Sequence, residues 1–124
     1  MSGFLHLSDF HLVEDETTLT RAFNAKYILK NTVDKILGRK EDFGNLDGVI
    51  ITGDISDDGS TASYSDAYGI LKELQLPLLA IPGNHDLRQP MMKYFAKGID
   101  IQSSGFFDWV YETSDTLIIG LDTL

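Results

Sequence analysis

The chain of 124 residues is 43% hydrophobic and carries a formal net charge of -9, enough for one apolar core and too acidic for broad electrostatic capture of DNA, RNA or an anionic membrane. With no cysteine, disulfide frameworks and thiolate metal sites are excluded, so any metal must be held by carboxylate, imidazole, amide or water. There is no apolar run of about 18 residues and no signal-peptide pattern, so a cytoplasmic protein without membrane attachment is the expectation.

The first element predicted is a strand over the apolar residues Gly3 to Leu7, broken by Ser8-Asp9-Phe10-His11, which places Asp9 and His11 at its C-terminal end. After an acidic loop, Ala22, Ala25, Leu29, Val33, Ile36 and Leu37 recur at helical spacing and Gly38 supplies a stop. Asn45-Leu46-Asp47-Gly48 turns the chain into Val49-Ile50-Ile51-Thr52, a β-branched run suited to a strand buried on both faces, and Gly53-Asp54 follows it directly. Ser60 or Thr61 can cap a second helix carrying Ala62, Ala67, Ile70, Leu71 and Leu74, in which Gly69 costs roughly 1 kcal/mol relative to alanine. Leu78 to Ile81 is a third strand, ending at Pro82-Gly83-Asn84-His85-Asp86. Pro90 suits the first turn of a short helix towards Phe95, and residues 106–112 and 116–122 alternate as a hairpin would. The order is βαβαβα followed by two strands.

Strands separated by helices imply right-handed crossovers and a parallel sheet, so all three strands end at one edge. That edge is where open α/β sheets bind ligands. The topology therefore gathers Asp9, His11, Asp54, Asn84 and His85. Asp9 and His11, two apart in extended backbone, would share a face and chelate one cation. Asp54 offers two oxygens that can bridge a pair of ions about 3.5–4 Å apart, and the Asn84 amide oxygen is a neutral ligand for the second. His85 is placed beside the metals as a proton donor to the leaving oxygen, with Asp86 orienting and charging it. Gly53 and Gly83 permit tight turns and close backbone approach. Asp57 and Asp58 read as turn and cap residues, and His6 as a packed or hydrogen-bonded histidine. Met91, Met92, Tyr94, Phe95 and Trp109 read as core.

The Asp-x-His of residues 9–11, the Gly-Asp of 53–54 and the Gly-Asn-His-Asp of 83–86 resemble, in order and in preceding strands, the first three motifs of the calcineurin-like metallophosphoesterases. The segment Gly53 to Gly59 most resembles the bacterial class III cyclic nucleotide and glycerophosphodiester phosphodiesterases. The resemblance implies an α/β fold, here the N-terminal half of a four-layer α/β/β/α sandwich. It also implies a dinuclear iron, manganese or zinc site, at which a metal-bound hydroxide hydrolyses a small phosphate ester. Carboxylates around divalent cations make a locally positive site even in an acidic protein.

The family pattern continues with a further histidine and a Gly-His-x-His segment, and neither is present: the histidines are His6, His11 and His85. Residues 1–124 are accordingly expected to be a single incomplete domain, with one or no ion well bound, weak or no activity, and an apolar sheet face that invites self-association. A non-catalytic metal- or phosphate-binding module is the alternative, and an inert scaffold would leave the convergence of Asp9, His11, Asp54 and Asn84 without a reason.

Overall fold

A computed structural model describes residues 1–14, 24–102 and 105–124. The chain order is β1 (Phe4–Leu7), α1 (Ala25–Gly38), β2 (Gly48–Ile51), α2 (Thr61–Leu71), β3 (Leu78–Ala80), α3 (Arg88–Phe95), β4 (Asp100–Ile101), β5 (Trp109–Glu112) and β6 (Leu117–Gly120). The expected mixed α/β architecture, with a three-stranded parallel sheet, is the one observed. The predicted helix position Ala22 and the acidic loop before it lie outside the described residues from Asp15 onward.

The parallel sheet has the order β1-β2-β3, with Phe4 opposite Gly48 and Val49 opposite Leu78. Its central strand is the Val-Ile-Ile run, and Val49 and Ile51 are fully buried. Two successive right-handed crossovers advancing in one direction put their helices on the same face, and α1 does pack against α2, which packs against α3. Each helix buries the stripe its spacing dictates: Ala25, Leu29 and Val33 from α1, Tyr64, Ala67, Ile70 and Leu71 from α2, Met91 and Phe95 from α3. The Asn24 side chain caps α1 by accepting from the Tyr27 amide at 2.8 Å. Of the two possible caps for α2 it is Ser60 that serves, accepting from the Ser63 amide at 3.3 Å. That helix closes at Leu71, and Leu74 is buried in a following 3-10 turn.

The antiparallel sheet has the order β4-β5-β6 and contains the predicted hairpin plus the two-residue strand β4, which the sequence pattern did not reveal. Trp109 anchors it: the indole is buried and donates its N–H to the Ala80 carbonyl at 2.7 Å, joining β5 to β3. A second tie is Arg88, whose Nε and Nη2 reach the Asp122 carboxylate at 2.6 and 3.0 Å, while the same carboxylate accepts from the Phe107 amide at 2.9 Å. Alternation leaves Val110, Leu117 and Ile119 exposed on the outer side, at 38%, 59% and 60%. Glu112, paired with Leu117, is exposed on the same side. No described helix is long and apolar enough to cross a membrane.

Candidate metal centre

The parallel ladder does not stop where the strands do. Beyond β1 and β2 the two following loops run side by side, with Asp9 N–H donating to Gly53 O, His11 N–H to Asp54 O and Leu12 N–H to Ile55 O, each at 3.0 Å, and Asp57 N–H returning to Leu12 O at 2.8 Å. In these loops Asp9, His11 and Asp54 adopt positive φ of 61°, 51° and 53°. Left-handed backbone is costly for residues with a Cβ, least so for Asp, Asn and His, and it persists only where surrounding contacts enforce it. The expected convergence of Asp9 and His11 is therefore real but has a different cause. They do not share a strand face, because β1 ends at Leu7; left-handed kinks in the loop bring them together beside Asp54.

Gly53 and Gly83 show what does the enforcing. A Cβ on Gly53, which has φ of 102°, would lie 2.5 Å from the Gly83 amide nitrogen, and one on Gly83 would lie 2.3 Å from Asp54 Oδ1. The loops after β2 and β3 touch backbone to backbone, which only glycine permits.

This packing sets the geometry of a three-residue cluster. His11 Nε2 lies 3.6 Å from Asp9 Oδ1 and 3.8 Å from Asp54 Oδ2, and one ligand atom from each of the three fits within 4.8 Å of the others. These separations are too long for charge-assisted hydrogen bonds, at about 2.7–2.9 Å. They lie close to the roughly 3.0–3.5 Å that separates neighbouring ligands each held about 2.1 Å from one ion. Neither Asp9 nor Asp54 has a Lys or Arg ion pair among the described residues, so the cluster is one that could hold a cation. The nitrogen and oxygen donor set fits a divalent transition metal. Asp54, the least exposed of the three, is held by the His85 amide, which donates to Oδ1 at 3.0 Å and leaves Oδ2 towards His11.

His85 sits beside this cluster, its ring edge-on to that of His11 with centroids 5.2 Å apart. Asn84 is exposed at the rim, between Gly83 and His85, both of which contact Asp54.

Two assignments from the sequence need correction. Asp86 does not orient His85: it is 2% exposed, with Oδ1 accepting from Ser56 N–H (3.1 Å) and Tyr64 O–H (3.0 Å) and Oδ2 from Gly83 N–H (2.9 Å) and Ile55 N–H (3.4 Å). It is a buried clamp between the loops after β2 and β3. Burial pushes the Tyr64 hydroxyl well above its ordinary value; the Leu87 amide opposes this and the Asp86 charge adds to it. Conversely, Asp57 is no mere turn residue. Its Oδ1 lies 3.0 Å from His11 Nδ1 and 3.6 Å from His85 Nδ1, forming a second His-Asp-His group. The signal that could have found it is a further carboxylate three residues beyond Asp54 in the same loop.

Asp58 does act as a turn residue, accepting from the Glu14 and Ser60 amides at 2.9 and 3.0 Å. Burial raises its carboxyl, but these amides outweigh that and hold it below the ordinary value. His6 lies outside the cluster, hydrogen-bonded to Thr52 Oγ1 at 2.8 Å.

The chain is similar in sequence to several known proteins. The chain is 32% identical over 97 residues, 78% of its own length and 39% of the relative's, to a protein of Vesicomyosocius okutanii named a probable cyclic nucleotide phosphodiesterase. It is 30% identical over 89 residues, 72% of its length and 32% of the relative's, to the 3',5'-cyclic adenosine monophosphate phosphodiesterase of Pseudomonas aeruginosa. A glycerophosphodiester phosphodiesterase of Enterobacter lignolyticus is 32% identical over 89 residues, 72% of this chain and 31% of that protein. The chain thus spans between about a third and two fifths of the length of these relatives. With residues 3–121 matching the family as a whole, the chain belongs to the calcineurin-like phosphoesterases.

Proposed function

We propose that this chain carries the metal-binding half of a phosphodiesterase active site, acting in its full-length parent on a small diester such as a cyclic nucleotide or a glycerophosphodiester. The observation that carries the reading is the cluster of Asp9 Oδ1, His11 Nε2 and Asp54 Oδ2, held on left-handed backbone with no Lys or Arg ion pair to the carboxylates among the described residues. Divalent ions bound there would supply a nucleophile at neutral pH and offset phosphate charge. Asp9, His11 and Asp54 hold the first ion; Asp54 and Asn84 contribute to a second. His85, exposed beside the cluster, donates a proton or hydrogen bond to the leaving oxygen. The relatives' names supply the substrate class.

In the full-length parent, Asp54→Asn is expected to lower metal content and activity together. His85→Ala keeps the metal by elemental analysis and slows diester hydrolysis by about 10²–10⁴-fold. Loss of metal from His85→Ala would make His85 a ligand and overturn its role.

A second reading, a metal-binding module without turnover, applies to residues 1–124 by themselves, because the second ion has only Asn84 and a share of Asp54 here. Manganese titration of this chain is expected to give one well-bound ion and near-background hydrolysis of a chromogenic diester. The outer face formed by Val110, Leu117 and Ile119 supports association between copies.

A further inference from the structure

We propose that Asp57 is a positioning residue that fixes His11 in its Nδ1–H tautomer, so that the bare Nε2 faces the gap between Asp9 and Asp54. A neutral imidazole has one N–H and one lone pair, and a carboxylate is an acceptor only. At 3.0 Å from Asp57 Oδ1, Nδ1 must carry the proton, since the other tautomer would set two lone pairs against each other. At Nε2 no hydrogen bond fixes a proton among the described residues: Asp9 Oδ1 at 3.6 Å and Asp54 Oδ2 at 3.8 Å are beyond hydrogen-bond reach.

The two partners are also held in register. Leu12, next to His11, donates to Ile55 O at 3.0 Å and accepts from Asp57 N–H at 2.8 Å, so Asp57 is tied by its own amide to the segment that presents the ring. The Asp57 side chain is partly shielded, at 23% exposed. The other grouping of these atoms, with Asp57, His11 and His85 ligating one ion, would need the Nδ1 lone pair of His11. The same ring cannot offer that lone pair while it is neutral and presents Nε2 to Asp9 and Asp54. Asp57 therefore acts through His11, in the manner of the carboxylates that orient metal-binding histidines from behind.

The consequence for affinity rests on the proposed metal site, but the tautomer belongs to the metal-free protein and is measured separately. In metal-free protein with ¹⁵N-labelled histidine, long-range proton–nitrogen correlation at alkaline pH is expected to show His11 protonated at Nδ1 and bare at Nε2. Asp57→Ala should shift the ring towards the Nε2–H form that free imidazole side chains prefer and weaken manganese binding by about 10–100-fold. Asp57→Asn, whose amide oxygen still accepts, should restore the tautomer and remains informative if the alanine variant fails to fold. An Nε2–H ring in the unmodified protein, or an unchanged tautomer in Asp57→Ala, overturns the proposal. So does an affinity loss far beyond 100-fold that Asp57→Asn does not recover, because that would make Asp57 a ligand. If the tautomer is as stated and manganese does not bind, the metal site fails and the tautomer assignment stands.

Discussion

Replacing Asp86 by alanine should destabilise the protein by about 3–5 kcal/mol, because several buried neutral donors lose their shared acceptor at about 1–3 kcal/mol each. Four donors converge on this carboxylate: the amides of Ser56, Gly83 and Ile55, and the Tyr64 hydroxyl. Each hydrogen bond to a charged acceptor contributes about 1.5–3 kcal/mol, while an orphaned buried donor costs about 1–3 kcal/mol. A simple sum overshoots, because water can enter the space left behind and the 3.4 Å bond from Ile55 is weak. Asparagine should be milder but not neutral. Its NH2 group set towards Tyr64 meets an oxygen that can accept, yet it also faces the Ser56 amide; set the other way it faces two amides.

The assay is urea unfolding followed by fluorescence of Trp109, the sole tryptophan, which is 2% exposed and changes environment on unfolding. His85→Ala, at an exposed position next door, should stay within about 0.5 kcal/mol of the starting protein and serves as the control. If Asp86→Ala also falls within about 1 kcal/mol, the carboxylate is not holding the two loops together and the clamp is refuted.

Two further outcomes follow from the second sheet. Burial raises the Asp122 carboxyl, but the hydrogen bonds from Arg88 and from the Phe107 and Leu124 amides outweigh it and leave it depressed. The stability from Asp122 is therefore full above the ordinary carboxylate value near 4 and is lost as the pH falls through the lower folded value. The urea midpoint of Asp122→Asn should consequently show a shallower decline as the pH falls below the ordinary carboxylate range; an unchanged acid slope would show that Asp122 does not titrate differently on folding. On the outer face, Ile119→Lys sets a charge among Val110 and Leu117 and should shift sedimentation of the chain towards monomer; unaltered association would locate the contact elsewhere.

What was legible in the sequence was the part dictated by pattern. Val49-Ile50-Ile51 reads as a central strand because β-branched residues buried on both faces leave few alternatives. Strands joined by helices must be parallel, so the loops carrying Asp9, Asp54 and His85 had to meet. What the pattern does not encode is direction within those loops. The positive φ of Asp9, His11 and Asp54 is imposed by contact between loops distant in sequence, through Gly53 and Gly83, and no local signal announces it. Strand β4 was invisible for a similar reason: Asp100 and Ile101 are extended because Val110 and Trp109 pair with them, not because two residues carry a pattern. Asp57 and Asp58 are chemically alike and adjacent. Which one turns towards His11 and which accepts from the Ser60 amide is decided by the backbone of the finished loop.

Four of the five aspartates from Asp54 to Asp86 show how little residue type alone assigns a role. Asp54 has one oxygen engaged by the His85 amide and the other left towards His11, so it is rotationally fixed yet still has an oxygen free to ligate. Asp57 faces imidazole nitrogens and has a base to orient. Asp58 meets amides at the protein surface, and Asp86 meets four donors in the interior. A carboxylate whose oxygens are all matched by donors gains nothing from a cation, whereas one with an oxygen turned towards another carboxylate and a bare ring nitrogen does. By that criterion the division of labour we propose runs from Asp54 as a ligand, through Asp57 as a positioning residue, to Asp86, which holds the loops that present both.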